Sequence, residues 1–310
     1  MASVAIIGAG LIGRSWAIVF ARAGWQVRVT DPESRTIESA SRLIREGLEE
    51  LAVHGLVTDP ALAAERVAIV QSLADAVSGV DVVQENGPEL VDTKRAIFAE
   101  LDRLCPEHAI LASSTSAIVA SRFTEELPGR ARCLVAHPVN PPHLLPLVEL
   151  CAAPWTAPET IEGARRIYES IEQVPITVKR EVEGFVLNRL QGALLAEAFR
   201  LVGEGVVSPQ DLDKTLKDGL GLRWSFIGPF ETIELNAPGG IGDYCKRYTG
   251  FYRSLSADPA KPDVWDEENV SRILHAWGAM PSADTLAHRS AWRDKRLAAL
   301  KAHKQSQPEA

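Results

Sequence analysis

Val4-Ala5-Ile6-Ile7-Gly8-Ala9-Gly10-Leu11-Ile12-Gly13 lies close to the amino terminus, and its reading decides the fold. Val4 to Ile7 is a short β-branched run that reads as a buried strand. The glycines follow at the spacing of a strand-to-helix turn. Gly8 permits the tight turn, Gly10 lets a pyrophosphate approach the backbone, and Gly13 lets helix and strand pack closely. A helix from about Leu11 to Ala23 would then present unpaired N–H groups, those of Leu11 and Ile12 among them, to a phosphate. Gly24 ends it, and Val27-Arg28-Val29-Thr30 reads as the second strand, closed by Asp31. A carboxylate there accepts hydrogen bonds from both ribose hydroxyls and repels a 2′-phosphate. Pro32, Glu33 and Ser34 supply no compensating cation, and Arg35 is the nearest. A bare glycine pattern also occurs in ordinary turns. Strand, helix and Asp31 agreeing points to a dinucleotide, with NAD favoured over NADP.

The same texture continues outward from this unit. Ala68-Ile69-Val70, Val80-Asp81-Val82-Val83-Gln84 and Ala109-Ile110-Leu111-Ala112 read as strands, with a helix over Lys94 to Leu104 between the last two. Cys133-Leu134-Val135-Ala136, Leu147-Val148-Glu149-Leu150 and Pro175-Ile176-Thr177-Val178 would complete the sheet. Strands alternating with helices imply an α/β fold: a Rossmann-type, doubly wound, mostly parallel sheet covered on both faces. After about Lys179 helical periodicity takes over, so the reading divides the chain into a nucleotide-binding domain, 1–182, and an all-α domain for substrate and dimerisation, 183–310. Phe185 to Val202 is apolar almost all round, and such a helix must be buried. A subunit interface is one way to bury it, so a homodimer is expected.

Composition excludes several classes. The chain has 310 residues, ample for two domains, with 46% hydrophobic and 24% charged residues, ordinary for a folded soluble protein. A formal charge of −8 argues against nucleic acid or an anionic membrane as partner. No apolar run reaches the ~20 residues that span a bilayer. Met1 to Ile7 has no basic n-region and does not read as a signal peptide. Cys105, Cys133, Cys151 and Cys245 are scattered and form no metal-ligand pattern, so they read as reduced thiols of a cytoplasmic protein without a metal site. The polar end, Lys304 to Ala310, is expected to fray.

Ala136-His137-Pro138-Val139-Asn140-Pro141-Pro142 puts a histidine at a strand end, flanked by prolines. Twelve residues on, Glu149 is a carboxylate inside the apolar run Leu147 to Leu150. A buried carboxylate needs a partner. Pairing with His137 would fix the imidazole tautomer and make its other nitrogen a better base. A core histidine beside an unrelated glutamate is the alternative on local sequence. His143 lacks the strand-end context.

Together these residues resemble the L-3-hydroxyacyl-CoA dehydrogenase superfamily, and within it the lambda-crystallin and L-gulonate 3-dehydrogenase branch. The resemblance extends through Ser114-Thr115-Ser116, Gly184-Phe185-Val186-Leu187-Asn188-Arg189-Leu190-Gln191, Asp218-Gly219-Leu220-Gly221 and Ala291-Trp292-Arg293-Asp294. It implies an NAD-dependent dehydrogenase with His137 as base and Glu149 as its partner. Ser116 and Asn188 would hold the substrate oxygen and the nicotinamide end of the site, with Asn140 near the nicotinamide. Glu89 and Lys94 would contact the cofactor riboses; alone they read as a solvated ion pair near a helix start. The branch also includes lens structural proteins, so a non-catalytic NAD-binding protein is a further reading.

Two substrate classes fit, a short 3-hydroxy acid or its CoA thioester. In CoA users of this superfamily the helical excursion after the second strand is lysine-rich. Here Asp31 to Val70 holds no lysine, and four arginines against eight acids. Arg223, in Gly221-Leu222-Arg223-Trp224, suits a small free carboxylate, since a guanidinium binds one bidentately. Alternatively it is a surface arginine lying over Trp224. Hydroxy-acid dehydrogenases that use a lysine on the interdomain helix are excluded by inventory, because no lysine occurs between Lys179 and Lys214.

Overall fold

The computed structural model describes residues 1–307. One sheet holds eight strands: β1 (Ser3–Ile7), β2 (Gln26–Thr30), β3 (Val67–Ile69), β4 (Val82–Glu85), β5 (Ile110–Ser113), β6 (Cys133–Pro138), β7 (Leu147–Ala152) and β8 (Val174–Val178). Their order is β3-β2-β1-β4-β5-β6-β7-β8. Strands β1 to β6 are mutually parallel, β7 is antiparallel to β6, and β8 is parallel to β7. The order reverses between β1 and β4, the switch point at which open α/β sheets bind ligands beyond their strand ends.

The strand sequences explain the double cover. Val4 and Ile6 of β1 lie in one apolar cluster, Ala5 and Ile7 in the other. β6 divides the same way, Leu134 and Ala136 against Cys133 and Val135. Side chains alternate across a strand, so one that is apolar at every position must be covered on both faces. The cover comes from α1 (Leu11–Arg22), α2 (Ser34–Val53), α3 (Pro60–Glu65), α4 (Leu73–Val77), α5 (Val91–Leu104), α6 (Ser121–Thr124) and α7 (Pro158–Ser170). Trp16 of α1 and Tyr168 of α7 pack with ring centroids 5.5 Å apart, and both are buried. Truncating such a buried aromatic costs about 3–5 kcal/mol. Cys105, Cys133 and Cys151 are buried, Cys245 is exposed, and all four are free thiols. Burial pushes the Cys133 thiol up to about 12.

The expected division at 182/183 differs from the compact units of the structure. One unit comprises Met1–Asn188 with Asp284–Ala310, the other Arg189–Ala283. Two physical causes set the edges of these units. The first turn of α8 (Leu187–Gly203) is tied to the sheet, because Glu149 accepts the backbone N–H groups of Val186 and Leu187 at 2.9 and 3.0 Å. The last helix also returns to the sheet unit: Ala298 is buried in its core, and Lys301 Nζ donates to the His143 carbonyl at 3.2 Å.

The helical unit holds the rest of α8, α9 (Pro209–Thr215), α10 (Gly221–Arg223), α11 (Pro229–Leu235), α12 (Gly240–Ser256) and α13 (Glu267–Trp277). The Phe199 and Trp265 rings pack in a tilted pair with centroids 4.5 Å apart, and Asn269 Nδ2 donates to the Val264 carbonyl at 2.8 Å. The expected burial of the apolar helix is not met within the single chain. Ala198 is the one buried residue of α8, and Leu190 is 65% exposed. The last helix, α14 (Ala283–Ser306), carries Lys304 to Ser306 of the expected frayed end as helix, and residues 308–310 lie outside the described residues.

Candidate active site

The glycine loop meets its spatial requirements. Gly8 adopts φ +93°, and a Cβ on it would stand 2.8 Å from the Asn86 carbonyl oxygen. A Cβ on Gly13 would lie 1.8 Å from the Gly8 oxygen, so α1 sits directly against the turn. Gly10, by contrast, faces open space. It is the N-cap of α1 and no side chain caps it, leaving the first-turn N–H groups for a ligand. Leu11 is exposed at the loop rim, and Ile12 packs against the core beneath. Asp31 Oδ2 accepts the Ala9 N–H at 2.7 Å and Oδ1 the Glu33 N–H at 2.8 Å. The carboxylate is thereby fixed beside the loop at the end of β2. This cradle fits the pyrophosphate and ribose of a dinucleotide.

His137 and Glu149 are direct partners across the antiparallel β6–β7 pair. His137 Nδ1 lies 2.8 Å from Glu149 Oε2. The other oxygen, Oε1, takes the two N–H groups at the start of α8. Burial pushes the Glu149 carboxyl up, but the hydrogen bonds from His137, Leu187 and Val186 outweigh it and hold it below the ordinary carboxylate value. An ionised Glu149 accepts, so Nδ1 carries the proton, and in the neutral ring Nε2 is then the acceptor. Nε2 has no protein partner among the described residues. Phe185 packs beside the ring, centroids 5.4 Å apart.

Ser116 and Asn188 meet: Asn188 Nδ2 donates to the Ser116 carbonyl at 2.8 Å. Asn140 is exposed in the loop after β6, with no side-chain hydrogen bond to the described residues. Arg223 ends α10 in the helical unit and is exposed. His143 has a different environment from His137. Burial, with Arg22 and Lys301 close by, pushes its imidazole down to about 4. Its carbonyl accepts Arg22 Nη1 at 3.0 Å, and its Nδ1 is buried without a partner among the described residues.

Lys94 corrects the reading of a solvated ion pair: its side chain is 1% exposed, and Nζ binds Glu85 Oε1 at 3.1 Å and Oε2 at 3.0 Å. Glu89 Oε2 is 3.9 Å away. A buried ammonium requires such carboxylates. Glu89 Oε1 is turned to the segment after β5, where it accepts the backbone N–H groups of Ser116 and Ala117 at 3.1 and 3.0 Å. Sequence reasoning missed Glu85 and Thr115. Glu85 closes the apolar run Val82-Val83-Gln84-Glu85, the same signal that singled out Glu149.

Comparison with known proteins places this site in a family. The family model described as 3-hydroxyacyl-CoA dehydrogenase, NAD binding domain, matches residues 3–182; the corresponding C-terminal domain matches residues 184–272. Lambda-crystallin of Oryctolagus cuniculus is 44% identical over 315 residues, covering 99% of this chain and 98% of that protein. An L-carnitine dehydrogenase of Pseudomonas sp is 32% identical over 297 residues, covering 96% of this chain and 92% of that protein. Among solved structures, a 5-formyl-3-hydroxy-2-methylpyridine 4-carboxylic acid 5-dehydrogenase, described as an NAD+-dependent dismutase, aligns with TM-score 0.86 at 30% identity. It covers 99% of this chain and 100% of its own. Fold, cofactor loop and relatives together define an NAD-dependent oxidoreductase acting on a CH–OH group. The chain belongs to the 3-hydroxyacyl-CoA dehydrogenase family, on its lambda-crystallin branch.

Proposed function

We propose that this enzyme oxidises a short 3-hydroxy acid bearing a free carboxylate, of the L-gulonate type, with His137 as the base. The observation that carries the reading is the buried His137–Glu149 pair, with Nε2 unengaged. Nε2 takes the proton of the substrate hydroxyl, and the Glu149 carboxylate stabilises the imidazolium that forms. Ser116, exposed, and Asn188, held on the Ser116 carbonyl, orient the substrate oxygen. Asn140 and Asp31 belong to the nicotinamide and adenosine ends of the cofactor site. Bound NAD supplies the hydride acceptor for the substrate carbon, chemistry that is the cofactor's own.

Three features favour a free acid over a CoA thioester. The segment Asp31 to Val70 has no lysine, and eight acids against four arginines, unsuited to a polyphosphate tail. Arg223 provides a guanidinium for a carboxylate. The L-carnitine dehydrogenase relative is named for a free hydroxy acid. The family's own name keeps the thioester as the second reading. A second copy of the chain covers the exposed Leu222, Trp224 and Phe230 of the helical unit, and sedimentation would show a dimer.

The test is a substrate panel with NAD: L-gulonate, L-3-hydroxybutyrate, L-carnitine and 3-hydroxybutyryl-CoA, on wild type and Arg223→Met. A lost charged hydrogen bond of about 1.5–3 kcal/mol lowers kcat/KM for the free acid roughly 10–150-fold. The thioester reaction should change far less. A wild type that prefers the thioester overturns the free-acid reading. Equal losses on both substrates make Arg223 structural, and no NAD reduction with any of them leaves a binding protein.

A further inference from the structure

Four hydroxyl side chains stand in a row from the last residue of β5 onward: Ser113, Ser114, Thr115 and Ser116. Three of them are committed. Ser113 Oγ donates to Glu85 Oε2 at 2.5 Å. Ser114 Oγ donates to Asn86 Oδ1 at 2.7 Å and accepts from Gln84 Nε2 at 2.7 Å and Trp16 Nε1 at 3.0 Å. Thr115 Oγ1 donates to Glu89 Oε1 and accepts the Ile118 N–H at 3.0 Å. The Ser116 hydroxyl has no protein partner among the described residues, and Ser116 is exposed.

The backbone here is gathered as tightly as the side chains. Besides Thr115, Glu89 Oε1 accepts the N–H groups of Ser116, Ala117 and Ile118 at 3.1, 3.0 and 3.4 Å. Successive N–H groups converging on one anion form a nest. Here the anion is a side chain from the segment between β4 and α5, held in turn near the buried Lys94. Hydrogen bonds to an ionised acceptor are roughly twice as strong as neutral ones.

We infer that Glu89 is a positioning residue: its carboxylate holds the 115–118 turn so that the Ser116 hydroxyl faces substrate and the Ser116 carbonyl holds Asn188. This role stands beside the ribose contact that the resemblance implies, and it rests on the role proposed for Ser116. Replacing the anion by a neutral amide weakens several bonds at once while preserving shape. One lost charge-assisted increment of about 1.4 kcal/mol is a tenfold effect.

The experiment compares Glu89→Gln, Ser116→Ala and the double variant, with three readouts: kcat/KM for the hydroxy acid at saturating NAD, NAD affinity by fluorescence titration, and amide hydrogen exchange. Glu89→Gln should lower kcat/KM about tenfold, leave the NAD dissociation constant within about twofold, and speed exchange at Ser116, Ala117 and Ile118. The double variant should lose less than the product of the two single losses, because Ser116→Ala already removes the hydroxyl that Glu89 positions and leaves only the Asn188 contact for it to hold. Additive losses, a tenfold weaker NAD with kcat/KM unchanged, or unaltered exchange would each overturn the inference. An inert Ser116→Ala removes the role proposed for Ser116, whereas the exchange data judge Glu89 separately. Should Glu89→Gln not fold, Thr115→Val removes one donor of the same cluster. A loss of about threefold with intact NAD affinity is then expected, and full activity with unchanged exchange overturns the inference.

Discussion

Glu149 and Glu85 are both 0% exposed carboxylates in or at the end of apolar strands, yet their surroundings differ in kind. Glu149 binds a histidine that keeps its second ring nitrogen unengaged. Glu85 binds Lys94, an ammonium with no free face, and also takes Ser113 Oγ and the Gly87 N–H, the latter at 2.6 Å. The first arrangement can accept a proton and stabilise the cation that results. The second holds its neighbours in place, since a neutralised lysine would leave the buried Glu85 carboxylate uncompensated. A buried carboxylate is therefore no signature of catalysis by itself. The partner decides: a histidine with an unengaged second ring nitrogen can exchange a proton with a ligand, whereas an ammonium enclosed by carboxylates cannot.

Four measurements would break or sharpen that contrast. His137→Gln should lower kcat by roughly 10²–10⁴-fold while NAD binding, measured by titration, stays nearly intact. If that variant turns over normally, the contrast collapses and the base lies elsewhere. Lys94→Met should act in the opposite currency, costing about 3–5 kcal/mol of stability in urea unfolding because Glu85 is left buried and unpaired. A stable Lys94→Met enzyme with lost NAD affinity would return Lys94 to the cofactor.

Glu149→Gln should preserve the fold but depress turnover and shift the pH–rate profile, since the imidazolium loses its counter-charge. The sign for stability follows from the carboxyl being held below its ordinary value. Its contribution is present above the ordinary carboxylate range and lost as pH falls through the folded value, so acid unfolding of wild type should be steeper than that of the variant.

The smallest effect concerns Lys301, where burial first and then Arg22 push the ammonium down to about 7 from 10.5. Between those values the unfolded chain holds a proton that the folded chain has released, so stability rises with pH across the window. Below about 7 the group is charged in both states and its burial penalty is complete. Lys301→Met should therefore stabilise the protein more at pH 6 than at pH 10, read from thermal melts. Equal gains at both pH values would show that the lysine titrates normally.

Much of the sheet unit was legible before any coordinates. The glycine spacing, Asp31 at the end of the second strand, and the apolar strands needed only local rules of turn geometry and alternation. The pairing of His137 with Glu149 followed from the cost of an unpartnered carboxylate in an apolar strand. The same argument, applied to Glu85, would have found a second buried acid, but nothing local said that its partner was Lys94, nine positions on.

What the linear chain determined, then, was the set of pieces and the need for certain partners: a nucleotide loop, a strand-end histidine, a carboxylate that could not stand alone. Tertiary structure decided which partner each received. It reversed β7 against β6 so that His137 and Glu149 face in register. It returned α14 to the sheet unit, and it gave Glu89 to the Ser116 turn. The physical reason is range. Turns, periodicity and capping are settled by neighbours in sequence. Hydrogen-bond partners across strands and between distant loops are settled by packing, where burial makes every unpaired polar group costly and leaves few arrangements that satisfy them all.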